Sequence, residues 1–65
     1  MKWFVYIRGG EIKGPFDKKY IALMYMNNTE TGIMKRYSAG HYENQYGEIV
    51  ATKEIMEALG YEINK

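Results

Sequence analysis

Residues 3–7, Trp3-Phe4-Val5-Tyr6-Ile7, form an aromatic and β-branched run with no charged position. That composition predicts a strand. Side chains alternate along a strand, so Trp3, Val5 and Ile7 point to one face, Phe4 and Tyr6 point to the other, and both faces are apolar. A sheet with one face in water carries polar residues on that face. This strand therefore calls for helices on both faces, or for a helix on one face and a partner on the other. The demand is heavy for sixty-five residues, a length that holds one domain and buries only about 60% of its unfolded surface.

The rest of the chain supplies candidates for the covering layers. Gly9-Gly10 predicts a two-residue turn of the primed hairpin kind, with residues 11–13 returning antiparallel. Gly14-Pro15 breaks the strand pattern, Phe16 follows, and Asp17 is placed to cap a helix over residues 18–26. Tyr20, Leu23, Met24 and Asn27 share one side of that helix, with Ile21 and Tyr25 flanking them. Asn27-Asn28 marks its exit and Thr29-Glu30-Thr31-Gly32 a loop. Residues 33–37 read as a strand, bent or bulged at Ser38-Ala39-Gly40 and continued by His41-Tyr42-Glu43. Asn44-Gln45-Tyr46-Gly47 is a turn and residues 48–51 pair back as a strand. Thr52 caps a helix over residues 53–59, with Glu54 in its first turn and Ile55, Met56 and Leu59 as its buried edge. Gly60 sits where a left-handed residue closes a helix, with Tyr61 folding back on the last turn. Residues 61–63 form a short terminal strand in this reading. The expected fold is a small α+β single domain over residues 1–65, in the order ββαββα, with a mostly antiparallel sheet.

Charge and cysteine content exclude several classes of function. The formal net charge of +1 fits neither a polybasic arm nor an acidic mimic. It is unevenly distributed: residues 1–36 carry seven basic and three acidic groups, a net of +4, and residues 37–65 carry two and five, a net of −3. The two halves are expected to pack with complementary surfaces, or else Lys13, Lys18 and Lys19 form a basic face toward an acidic partner. With no cysteine there is no disulfide framework and no thiolate metal site, which points to the cytoplasm. No apolar run approaches the roughly 20 residues of a membrane span, so no membrane partner is expected.

Catalytic groups are sparse. His41 is the one histidine, and it has Glu43 two residues away as a dyad partner; a surface or half-buried histidine is the plainer reading. Glu54 and Glu57 lie three apart on a helix and read as a solvated face. The glycines match neither GxGxxG nor GxxxxGK[ST]. No catalytic residue, metal ligand or cofactor is assigned, and the chain is expected not to be an enzyme.

The aromatic residues are more informative. Tyr37, Tyr42 and Tyr46 are interleaved with Arg36, His41, Asn44 and Gln45. Tyrosine offers a large rigid surface with a polar tip at low entropic cost, a composition common at binding surfaces. The Phe4 and Tyr6 face of the first strand is the second candidate, and a homodimer through that strand is a competing use of it.

The first part of the chain also resembles a known family. Trp3-x-x-Tyr6, Gly10, and then Gly14-Pro15-Phe16 opening a helix through Ile21 and Met24 are similar to the start of GYF-like domains, in particular their short bacterial variant. The resemblance implies a strand hairpin leading into a helix, in a small α+β adaptor that recognises proline-rich segments through aromatic residues, with Trp3, Tyr6, Pro15 and Phe16 at matching positions. It spans residues 3–28. The helix carries Ile21 and Met24 where eukaryotic members place Met and then Trp, and the Gly-Tyr-Phe triplet is absent after Asn28.

The expected function is a non-enzymatic protein-interaction module, an adaptor or small inhibitor of the size encoded by phages and other mobile elements, with Tyr37, Tyr42, Tyr46, Arg36 and His41 as anchors and Phe4 and Tyr6 next. The alternative is a single-stranded nucleic-acid binder that stacks bases on the tyrosines and meets phosphates with Lys18, Lys19, Lys35 and Arg36. The low net charge weighs against it.

Overall fold

The computed structural model describes residues 1–29 and 34–63. In chain order the elements are β1 (Trp3–Ile7), β2 (Glu11–Phe16), α1 (Lys19–Thr29), β3 (Lys35–Ser38), β4 (His41–Glu43), β5 (Ile49–Thr52) and α2 (Lys53–Ala58). The five strands form one antiparallel sheet in the order β2-β1-β5-β4-β3. The protein is thus a small α+β domain.

The two apolar faces of β1 are both covered, because the helices lie on opposite sides of the sheet. Opposite residues in an antiparallel pair share a face, so Val5 across from Val50 and Trp3 across from Thr52 line one side. There Trp3, Val5 and Val50 pack with Ala22 and Met26 of α1. Phe4 across from Ala51 and Tyr6 across from Ile49 line the other side, where Phe4, Ile49 and Ala51 pack with Met56 of α2. Each fully buried Val or Met contributes about 1.5–3 kcal/mol relative to exposure. β1 is also hydrogen-bonded on both edges, to β2 and to β5.

Several local expectations change. The turn after β1 is a three-residue loop of residues 8–10, since Ile7 pairs with Glu11 and the Gly10 N–H donates to the Ile7 carbonyl at 3.0 Å. β2 does not stop at Gly14-Pro15 but runs to Phe16, with a register shift opposite Phe4. Gly14 makes this possible: its φ is +141°, and a Cβ there would lie 2.6 Å from Phe4 Cδ2 and 2.9 Å from the Trp3 carbonyl oxygen. Only glycine fits so close to the neighbouring strand. The first intrahelical acceptor of α1 is the Lys18 carbonyl, bonded by Ala22 N–H, so Asp17 lies just before the cap and pairs with Lys2 instead.

α1 continues to Thr29, beyond the expected exit at Asn27-Asn28. Its buried face is Ala22 and Met26, not the stripe of Tyr20 and Met24, which are exposed. Residues 20–26 are apolar all round the helix, so periodicity alone selects no face. The small Ala22 lets the backbone approach the sheet. Of the loop expected at Thr29-Glu30-Thr31-Gly32, residues 30–32 lie outside the described residues, as does Ile33. Ser38-Ala39-Gly40 is not a bend within one strand but a reversal: β3 and β4 pair antiparallel, Lys35 with Glu43 and Arg36 with Tyr42. The second half therefore has three strands, not two.

The close of the domain follows its local signals. Thr52 Oγ1 accepts the Ile55 N–H at 3.3 Å as the N-cap of α2. After Leu59, the Gly60 N–H donates to the Glu57 carbonyl and the Tyr61 N–H to the Met56 carbonyl, both at 3.0 Å. Gly60 has φ +101°, which completes a Schellman closure. Leu59, expected on the buried edge, is exposed. Residues 61–63 are not a strand; Tyr61 and Ile63 pack against the Phe4 face instead.

Candidate binding surface

Both apolar sides of β1 are taken by the chain itself. Phe4 is 5% exposed, and Tyr6 is half-buried against Tyr61, with ring centroids 4.7 Å apart. A second copy would find neither a free edge nor an open face on β1. The aromatic surface has to be sought on β3, β4, the loop of residues 44–47 and α1.

The structure disperses the three tyrosines. Tyr42 pairs with Val50 and so lies on the α1 face, with Arg36 beside it across the β3–β4 pair. His41 and Glu43 pair with Ala51 and Ile49 and lie on the α2 face, where Tyr37 stacks on the His41 ring at 5.0 Å. Tyr46 sits in the turn between β4 and β5, under the Arg8 guanidinium at 4.7 Å. Each ring has a cation over it: Lys35 for Tyr37 at 5.5 Å, Lys19 for Tyr42 at 5.1 Å and Arg8 for Tyr46. Such contacts hold an exposed ring in one orientation at about 0.5–1 kcal/mol each.

His41 and Glu43 form the dyad that their spacing allows, with Nε2 2.8 Å from the Glu43 carboxylate. Among the described residues no group of three or more His, Asp or Glu is arranged to hold a metal ion. A cleft of about 230 Å³ beside β2, lined by Phe4, Ile12, Gly14, Glu62 and Ile63, holds a single titratable group.

On the α1 face, Tyr42 is more polar in its surroundings than its position in a strand suggests. Lys19 Nζ donates to its hydroxyl oxygen at 3.0 Å. That hydrogen bond holds the phenol below the usual tyrosine value; partial desolvation opposes it, and the neighbouring Arg36 guanidinium adds to the lowering. Next to this corner, the outward side of α1 presents Tyr20 at 61% exposure, Met24 at 59% and Ile21 at 37%. Tyr20 and Met24 are one turn apart and form a continuous ridge. No acidic residue lies in α1, and Lys18 and Lys19 are exposed at its start.

Sequence reasoning missed two residues that shape the surface. Glu48 is fully buried and Asn44 nearly so. Asn44 Oδ1 accepts the N–H groups of Tyr46 and Glu48, both at 3.0 Å. Its Nδ2 donates to Glu48 Oε1 at 2.7 Å, while Glu48 Oε2 accepts the Arg8 N–H at 3.2 Å. This network ties the turn that carries Tyr46 to the loop that carries Arg8. The signal was an Asn three residues before a Gly, an Asx-turn pattern, followed by a Glu with the same strand parity as Val50.

No protein-family model, curated protein or solved structure matches this chain. Among the described residues no helix is long and apolar enough to cross a membrane.

Proposed function

We propose that this protein is a non-enzymatic interaction module, an adaptor or small inhibitor, which docks through the outward face of α1 and the adjoining Tyr42–Arg36 corner onto an acidic protein segment. The observation that carries this reading is the ridge of Tyr20 and Met24, at 61% and 59% exposure, on a helix whose opposite side is core. Large apolar side chains in water on adjacent helical turns are the usual mark of an interface. Lys18 and Lys19 at the start of the helix, with no acid along it, select an acidic partner by charge complementarity. A standard interface buries about 800 Å² on each partner, close to a fifth of the 4243 Å² surface, so the footprint extends past the helix to Tyr42 and Arg36. The nucleic-acid alternative is less favoured: with Tyr37, Tyr42 and Tyr46 on two faces and one end of the sheet, stacked bases have no continuous track.

The test begins with crosslinking capture from the native host, followed by binding of the purified partner to the wild type and to a Tyr20→Ser, Met24→Ser double variant. The expected result is at least a tenfold loss of affinity, with a thermal melt shifted by no more than a few degrees, since exposed substitutions are close to neutral for stability. Unchanged affinity sinks the proposal. If light scattering instead shows a dimer that the double variant dissociates, the face belongs to a second copy and the adaptor reading fails.

A further inference from the structure

Two cations from separate elements stand beside one neutral phenol. Lys19, in the first turn of α1, places Nζ 3.0 Å from the Tyr42 hydroxyl oxygen. Arg36 is the cross-strand partner of Tyr42, so its side chain stands beside Tyr42 on the same face of the sheet. Like charges brought together repel, and a phenol carries no counter-charge to offset them. Three lysines are handled differently: Lys2, Lys13 and Lys53 are paired with Asp17, Glu11 and Glu57. Among the described residues neither Lys19 nor Arg36 has a carboxylate within ion-pair distance. The phenolic oxygen accepts from Lys19, which leaves its own O–H to donate outward. The corner thus offers an ammonium, a guanidinium fork and a hydroxyl, from α1, β3 and β4, to one point at the surface.

We infer that Lys19, Arg36 and the Tyr42 hydroxyl form an oxyanion site that receives a phosphoryl or carboxylate group carried by the acidic segment docked on α1. The inference rests on the docking proposed above for the source of the anion. The chemistry suits it: guanidinium groups take oxyanions in bidentate fashion, and charge-assisted donors are the stronger ones. The site lies beside the Tyr20–Met24 ridge, so one anionic group would fix the register of a segment held mainly by apolar contact.

The experiment is an amide and side-chain NMR titration of the whole chain with inorganic phosphate and, separately, with acetate, at ionic strength held constant with chloride. The expected result is a saturable shift concentrated at residues 19, 36 and 42. Lys19→Met and Arg36→Gln each weaken it about fivefold or more, and Tyr42→Phe weakens it less. The melts of the two cation variants shift by no more than a few degrees. Stronger binding of phosphate than of acetate assigns a phosphoryl group; equal binding assigns a carboxylate. Shifts spread evenly over the lysine-bearing surface, or affinities unchanged in the variants, overturn the inference. So does a single-stranded oligothymidylate that binds more tightly than phosphate and loses binding in the same variants, because the anion would then belong to nucleic acid. Phosphate binding needs no partner, so a null here with the α1 docking intact, or the reverse, shows which of the two has failed.

Discussion

Glu48 is the place where one side chain's removal should be felt across the domain. It has no exposed surface, and its two carboxylate oxygens serve two donors, the Asn44 side-chain amide at 2.7 Å and the Arg8 backbone N–H at 3.2 Å. Glu48→Ala removes both acceptors and leaves a void. A buried donor such as the Asn44 amide, left without its acceptor, costs about 1–3 kcal/mol, and the loss of the part-buried Arg8 bond together with the void brings the total to about 3 kcal/mol. For a domain of this length the total stability is about 3–10 kcal/mol, and each kcal/mol corresponds to about 4–8 °C in melting temperature. The variant should therefore melt roughly 12–24 °C lower, or be unfolded at room temperature. Glu48→Gln keeps one acceptor but turns an amide N–H₂ toward one of the two donors, and should cost about 1–2 kcal/mol. Urea unfolding followed by circular dichroism at 25 °C measures both. Combining Glu48→Ala with Asn44→Ala should cost clearly less than the sum of the single changes, because the two residues share one network. A Glu48→Ala cost below about 0.5 kcal/mol at unchanged urea dependence would refute the claim that this carboxylate ties the 44–47 turn to the β1–β2 loop.

Two further outcomes follow from the geometry. Gly14→Ala forces a Cβ to 2.6 Å from Phe4 Cδ2 and 2.9 Å from the Trp3 carbonyl oxygen at a φ of +141°, so it should destabilise by about 2–3 kcal/mol in the same urea assay, whereas the sterically open Gly9 and Gly10 should lose less on the same change. Tyr42 titrates below the ordinary value of 10.0 because Lys19 hydrogen-bonds to it; a lowered acid is favoured in its ionised form by the fold, so this contribution is present above the unfolded value and lost as pH falls through the folded one, and it is nil at neutral pH. Absorbance at 295 nm should show a tyrosine ionising early, and Lys19→Met should move that step upward; no movement would mean that Lys19 does not hold the phenol.

How much of this was legible in the chain depends on how local each signal is. Thr52 as a cap and Gly60 as the left-handed closing residue were readable, because each acts within one turn of helix through its own hydroxyl or its own missing Cβ. The demand of Trp3-Phe4-Val5-Tyr6-Ile7 for cover on both faces was readable as well, since alternation follows from strand geometry. What fills each face was not. The passage of β2 through Gly14 to Phe16 depends on how close Phe4 comes from the neighbouring strand. The reversal at Ser38-Ala39-Gly40 depends on β4 finding β5, and sequence order says nothing about that pairing. α1 is apolar on every side, and its buried face was chosen by the fit of Ala22 and Met26 against Val5 and Val50.

The candidate surface shows the same division. That tyrosines are interleaved with basic and amide residues between residues 35 and 46 is a property of the chain, and the structure places each ring beside a cation, Arg8 reaching Tyr46 from the far end of the sequence. Whether those rings make one surface was decided in three dimensions. Strand parity sends Tyr37 with His41 to one face and Tyr42 with Arg36 to the other, and the turn carries Tyr46 to the end of the sheet. The exposed ridge of Tyr20 and Met24 and the meeting of Lys19 with Arg36 at Tyr42 exist only once α1 has docked. The sequence by itself determined the strand that needs two covers, the caps and the closing glycine, all through short-range sterics and hydrogen bonding. Tertiary structure alone decided which apolar residues were left over for a partner, because burial is a property of what packs against a residue and not of the residue.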